Sequence, residues 1–252
     1  ELIDTEIKNA SPEVKKVMQE AKAIAYGYIR QGKETNKLAT ISTHKKRNLK
    51  IDNITGVATI NVDDFTMSIL DFSETAGLRT STHQLLDALL EELTITGAKS
   101  PQVKISLDDF MKLRGLKDKK EARKQVEADL ETLRHTNILK AKMPNGSYID
   151  IGIIGTKGIV NGMITVFFDT GFFDLIKTYN IMPYPHQLPR LNNKRNPNSY
   201  YFGRKICTHK NMNYGKPNAD IIAVRTLLEA SPVRATYEEV SDRKSTRLNS
   251  SH

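Results

Sequence analysis

One cysteine, no tryptophan and no apolar run of membrane-spanning length mark this sequence by what it lacks. A lone Cys207 excludes an internal disulfide framework and points to a reducing, cytoplasmic setting, with the thiol itself a small buried hydrophobe. No stretch of about 18 apolar residues and no signal-peptide pattern occur, so no membrane partner is expected. A phosphate-cradling G-x-x-x-x-G-K loop is missing, which leaves helicase-type ATP hydrolysis unsupported. Gly152, Gly155 and Gly158 do not follow a strand and open a helix in dinucleotide-binding fashion; they read as strand-edge and turn glycines. No cofactor is expected. Histidines are scattered at His44, His83, His135, His186 and His209, with His252 in the terminal tail, and no His-x-His pair exists to hold a catalytic metal. Of the adjacent acids Asp63-Asp64 and Asp108-Asp109, the second pair is explained by the charge preference of a helix N-terminus.

Acids are also in deficit. Lys and Arg number 38 against 29 Asp and Glu, a net charge of +9 over 252 residues. Such a balance favours a polyanionic partner. Hydrophobic content of 38% is enough to build a core, and the length suits one large domain or two small ones. The run Asp242 to His252 matches the in-frame translation of a DNA sequencing-library adapter and is set aside as non-native; it supplies +2 of the +9. The native chain is therefore expected to continue past Ser241, and with Glu1 rather than methionine at its start a missing N-terminus is an expectation too.

The richest segment runs from Ser106 to Ile154. Ser106 and Asp109 form an S-x-x-D start for a helix over Leu107–Arg114, which stops at Gly115, a residue suited to the left-handed conformation of helix ends. Leu116 and Lys117 complete a turn. Asp118 caps a second helix, Lys119–Arg134, with Glu121 three positions on. Ala122, Val126, Leu130 and Leu133 share one stripe of that helix, so Lys120, Lys124 and Glu127 face away and Arg123 lies at the stripe's edge. From Lys112 to Lys124, seven basic residues (Lys112, Arg114, Lys117, Lys119, Lys120, Arg123, Lys124) meet two acids (Asp118, Glu121). Two helices joined by a glycine turn, with cations gathered at the start of the second, are the layout that places a recognition helix in a major groove. Asn137–Met143 and Ser147–Ile154 flank Asn145-Gly146, a hairpin signal. This hairpin is the expected wing, with Lys142 and Asn145 as its contacts.

Around that segment the pattern predicts an amphipathic helix within Ser11–Gly32, a basic arm over Gln31–Lys50 with Lys45, Lys46 and Arg47, and a strand over Ile51–Ile60. A strong helix spans Ser81–Thr94, and a short strand Val103–Ile105 precedes the helix pair. Gly162–Phe168 reads as strand and Thr170–Tyr179 as helix. Pro183, Pro185 and Pro189 suggest an inter-domain connection at about 180–192. Helices then begin near Pro197 and over Ile221–Ala230, separated by an Asn-, Gly- and Pro-rich loop, and a further helix begins near Tyr237. The fold class is α+β: an N-terminal helix and arm (1–55), a winged-helix domain of helix-turn-helix plus β-hairpin wing (56–182), the truncated start of a second winged helix (190–241), and the tail (242–252).

Lys117–Lys124, together with Ile181–Leu188, Asn196–Tyr201, Arg204-Lys205 and Leu227–Ala230, resembles the replication initiators of plasmids and related mobile elements, over about residues 80–240. The resemblance implies tandem winged helices that bind repeated double-stranded DNA sites at an origin, recruit host replication proteins, form homodimers in some states and catalyse nothing themselves. It gives Lys119, Lys120, Arg123 and Lys124 the recognition role, and Arg204 and Lys205 a phosphate contact from the second domain. Two alternatives stand beside it. A winged-helix transcriptional regulator would use the same DNA chemistry, and a nicking enzyme would use Tyr200 or Tyr201 as nucleophile.

Overall fold

A computed structural model describes residues 11, 12, 14, 26–32, 35, 36, 38, 49–52, 54–62, 65–69, 79–140, 149–191 and 196–230. The described residues form a mixed α+β structure around one helix. That helix, α1 (Thr80–Ile95), is buried nearly all round. Leu85, Leu86, Leu89, Leu90 and Leu93 pack into the core from it, but Thr82, His83, Gln84, Asp87 and Glu91 are buried too. A helix covered on every side sits between layers rather than on top of one.

The described strands pair in three antiparallel sheets. β5 (Gln102–Ser106), β9 (Met163–Phe168) and β8 (Ile154–Val160) form a three-stranded sheet in the order β5-β9-β8. A five-stranded sheet runs β2 (Leu49–Asp52), β3 (Val57–Val62), β4 (Phe65–Ile69), β6 (Thr136–Lys140), β7 (Ile149–Gly152). β1 (Tyr26–Gln31) and β10 (Asn180–Pro185) make a two-stranded ribbon. Between β5 and β6 lie α2 (Leu107–Arg114) and α3 (Lys119–Arg134); α4 (Thr170–Lys177) follows β9, and α5 (Ser199–Met212) and α6 (Val224–Glu229) follow β10. One hydrophobic cluster joins α1, α3, the inner faces of β8 and β9, α4, Tyr184 of β10 and Tyr200 of α5. None of the described helices is long and apolar enough to cross a membrane.

Several expectations change. Tyr26–Gln31 is a strand, not the end of a helix: Gly27, Ile29 and Gln31 alternate inward and pair with β10. The helix expected before it, the arm and the helix expected near Tyr237 fall largely or wholly outside the described residues. Ile51–Ile60 is two paired strands, because Asp52 turns the chain: its carboxylate accepts from Ile54 N–H at 2.9 Å and its carbonyl from Gly56 N–H at 2.8 Å. Asn180–Pro185 is a strand rather than an open connection. Its prolines are tolerated because a two-stranded ribbon leaves an outer edge with no ladder to break.

Asn137 pairs with Gly152 and Lys140 with Ile149, so a hairpin does follow α3. Yet it belongs to the five-stranded sheet. The hairpin that pairs with β5, the strand leading into α2, is β8–β9, closed by Asn161 and Gly162 with φ of 50° and 75°. Two consecutive positive φ values define the tight turn that Asn-Gly favours.

Below α1 lies a buried polar cluster. Tyr184 and Tyr200 hydroxyls donate to Asp87 Oδ2 at 2.7 and 2.6 Å, and Arg204 Nη2 meets Asp87 Oδ1 at 3.0 Å. Burial, and then the Asp87 charge, push both phenols well above their ordinary range. One turn on, Glu91 is pushed up to about 7 by burial first and then by Asp87 and Glu92. Those effects outweigh the His186 ring, 3.2 Å from the Glu91 carboxyl.

Candidate nucleic-acid interface

The helix pair is built as its sequence dictates. Ser106 Oγ accepts from Asp109 N–H at 3.3 Å to start α2. Gly115, at φ 63°, ends it, and Leu116 N–H returns to the Met111 carbonyl at 2.9 Å. Asp118 Oδ1 accepts from Glu121 N–H at 2.8 Å to start α3. The back of α3 is Ala122, Val126, Leu130 and Leu133, all buried. Burying four such side chains is worth several kcal/mol in sum, enough to fix which face looks outward.

A polar pin adds direction. Asp129, 3% exposed, accepts from Thr82 Oγ1 at 2.7 Å, Ser81 Oγ at 3.0 Å and Gln125 Nε2 at 3.2 Å. Burial raises its carboxyl above the usual range, and the three hydrogen bonds act against that rise. Its place at the N-terminal turn of α1 is electrostatically favourable for a carboxylate. The pin holds α3 at a fixed rotation against α1. Sequence spacing showed the apolar stripe but could not show that a polar residue within it has partners 47 positions away.

The outer face of α3 is what remains. Lys117, Lys119, Lys120, Arg123 and Lys124 are all exposed. Lys119 Nζ meets Asp108 of α2 at 2.7 Å, and Arg123 Nε meets Glu127 at 3.0 Å. Lys117, Lys120 and Lys124 have no ion pair among the described residues. Among the described residues Arg123 spends only Nε, on Glu127. Arg114, counted with this cluster by sequence, is half-buried instead, with its guanidinium 5.9 Å from the Phe110 ring centroid and its Nε without a hydrogen-bond partner.

Other expected contacts do not gather here. Lys142 and Asn145 lie outside the described residues. Arg204 is 4% exposed and held by Asp87, with a further bond to the Thr35 carbonyl at 3.3 Å, so the phosphate contact expected of it is corrected: its charge is neutralised inside the protein. Lys205 beside it is exposed on α5. Tyr200 and Tyr201 are buried, and Tyr201 OH lies 3.1 Å from Thr80 Oγ1. Among the described residues no group of three or more His, Cys, Asp or Glu side chains is placed to hold a metal ion.

Two features near α3 were not read from sequence. The β8–β9 tip, Val160-Asn161-Gly162, is exposed, and Lys157 of β8 forms an ion pair with Glu131 of α3. The tip had a legible signal, since Asn161-Gly162 repeats the dipeptide that marked the earlier hairpin.

No known protein family matches this chain, and no curated protein matches it either. Among solved structures, selenomethionine derivatives of domains 2 and 3 of RctB share 12% identity with it at a TM-score of 0.43, covering 68% of this chain and 70% of that one. A second structure of RctB domains 2-3 gives 12% identity and a TM-score of 0.40, covering 65% and 68%. At that distance the site rests on this chain's own residues.

Proposed function

We propose that the protein binds double-stranded DNA in a sequence-specific manner, with α3 in the major groove, and that it serves as a non-catalytic initiator of plasmid replication. The observation that carries the binding reading is the face of α3: four cations of its first two turns and Lys117 before them, all exposed, behind which the apolar stripe and the Asp129 pin fix the helix. Cations at a helix N-terminus oppose the macrodipole. An arriving phosphate relieves that opposition and also meets free backbone N–H groups. The order α1-β5-α2-α3, followed after the inserted β6–β7 hairpin by β8-β9, with β5-β9-β8 as the sheet, supports reading this part as a winged helix whose wing is β8–β9. Origin recognition, host replication partners and a homodimeric form rest on the resemblance carried by Lys117–Lys124 and the strings after Ile181.

Within this reading Lys120 and Arg123 reach base edges, while Lys117, Lys119 and Lys124 take phosphates. A gel-shift titration over salt tests it. Log affinity is expected to fall linearly with log salt, by about 0.9 for each phosphate neutralised. An affinity unaffected by salt would reject the mechanism. Selection from a random duplex pool, followed by a search for tandem copies of the selected site beside the gene, separates an initiator from a transcriptional regulator. Supercoiled plasmid that stays intact with divalent metal, in wild type and in Tyr200→Phe alike, is the outcome expected of a protein without nicking activity.

A further inference from the structure

The β8–β9 hairpin leaves the core on a strand poorly made to hold a direction. β8 contains Gly155 and Gly158, and its register with β9 shifts between Ile154 and Thr156. Glycine widens the backbone's choices, and a bulge bends the strand that carries it. Lys157 lies between these soft points, opposite the fully buried Val166. Its stem therefore runs along the inner face of the sheet, with only 19% of the side chain exposed, and its ammonium emerges against Glu131. Glu131 is on the last turn of α3, where His135 Nε2 at 3.3 Å and Arg134 Nη1 at 3.8 Å also face its carboxylate. The hydrogen bond from Lys157 is the main reason that carboxylate sits below its usual range. Among the described residues this is the side-chain ion pair that joins α3 to the hairpin.

We propose that Lys157 and Glu131 are a positioning pair: they set the direction of the Val160-Asn161-Gly162 tip relative to α3, so that helix and tip engage one duplex together, and neither residue of the pair touches the DNA. This rests on the DNA-binding reading above. A tip that points correctly only about a tenth of the time would raise the apparent Kd about tenfold.

The test has a DNA-free arm and a DNA arm. Spin labels at Lys124→Cys and Val160→Cys, on a Cys207→Ser background, report the helix-to-tip distance by double electron–electron resonance. Glu131→Gln and Lys157→Met are expected to broaden a narrow distribution, and Lys157→Arg to keep it narrow. Equal widths in all variants would overturn the pair's role whatever the DNA result. In hydroxyl-radical footprinting, the same two variants should lose protection on the flank of the site and keep it at the centre. Unchanged footprints, with wild type bound, would also overturn it. A wild type that protects no duplex would sink the DNA-binding reading instead, and the resonance widths would still decide whether the pair orients the tip.

Discussion

Arg123-Lys124 on α3 and Arg204-Lys205 on α5 are similar dipeptides on similar helices, and the structure gives them opposite work. On α3 the outward pair stands over a stripe of alanine, valine and leucine, and both side chains are in solvent. On α5 the arginine turns inward and meets a carboxylate that α1 has carried into the core. The lesson is that a basic pair reads as a surface only when no buried acid exists to claim it. Asp87 lies 117 positions from Arg204, so local sequence could not reveal the claim.

The largest expected effect breaks this comparison from the inside. Arg204→Met leaves Asp87 buried without its cation and should cost about 3–5 kcal/mol in urea unfolding. Lys205→Ala, on the same helix, should stay within about 0.5 kcal/mol. Equal, small losses at both positions would mean that Arg204 is not the structural member of the pair. Leu130→Ala on the back of α3 sharpens the point from the other helix, with an expected loss of about 2–5 kcal/mol.

A pH experiment examines the buried acids of α1 more closely. Folded Glu91 keeps its proton up to about pH 7, while the unfolded chain loses it near the ordinary glutamate value of 4.5. Across that window the folded state binds more protons, so this group's contribution to stability falls as pH rises through it. Glu91→Gln should therefore match wild type at pH 4 and exceed it by about 2–3 kcal/mol at pH 8, measured by denaturant midpoints. A variant no more stable than wild type at pH 8 would show that Glu91 is ionised in the core, with His186 as its counter-ion.

Smaller effects belong to the outer face. Arg123→Ala should reduce discrimination at one base pair by about 1–3 kcal/mol, with folding stability nearly unchanged. Lys124→Ala should weaken all sequences alike and lower the salt slope by about 0.9. The exposed Lys119–Asp108 pair should show a coupling of at most about 1 kcal/mol in a double-mutant cycle of stability.

Much of the helix pair was legible because its signals are local. Ser106, Gly115, Asp118 and the i, i+4 stripe each act within a few residues, and all four appear as expected. The sheet that each hairpin joins was not legible, for a physical reason. The sequence after α3 carries two Asn-Gly dipeptides, and turn chemistry signals a hairpin at each without saying which sheet receives it. Strand β1 was obscured because Ala25 and the apolar positions before it continue a helical spacing up to its edge. The prolines of β10 pointed to a break, yet a ribbon of two strands is where such residues are accepted. Long-range polar contacts were the least readable part, since Asp87 and Asp129 look like ordinary helix-surface acids until their partners fold onto them.

Ile153 is the single residue between β7 and β8, and so between two sheets. Its N–H reaches the Thr136 carbonyl at 3.2 Å, its own carbonyl accepts from Asp169 at 3.1 Å, and its side chain is fully buried. A joint one residue long has no slack of its own, and the nearest is the bulge of β8 between Ile154 and Thr156. Adding or deleting one residue there inverts the alternation of β8 wherever the bulge between Ile154 and Thr156 does not take it up, sending Lys157 to the outer side and Thr156 to the inner. Length variation is thus steered away from the hinge of the two sheets, and homologous chains of different length should differ at the β8 bulge or at hairpin ends.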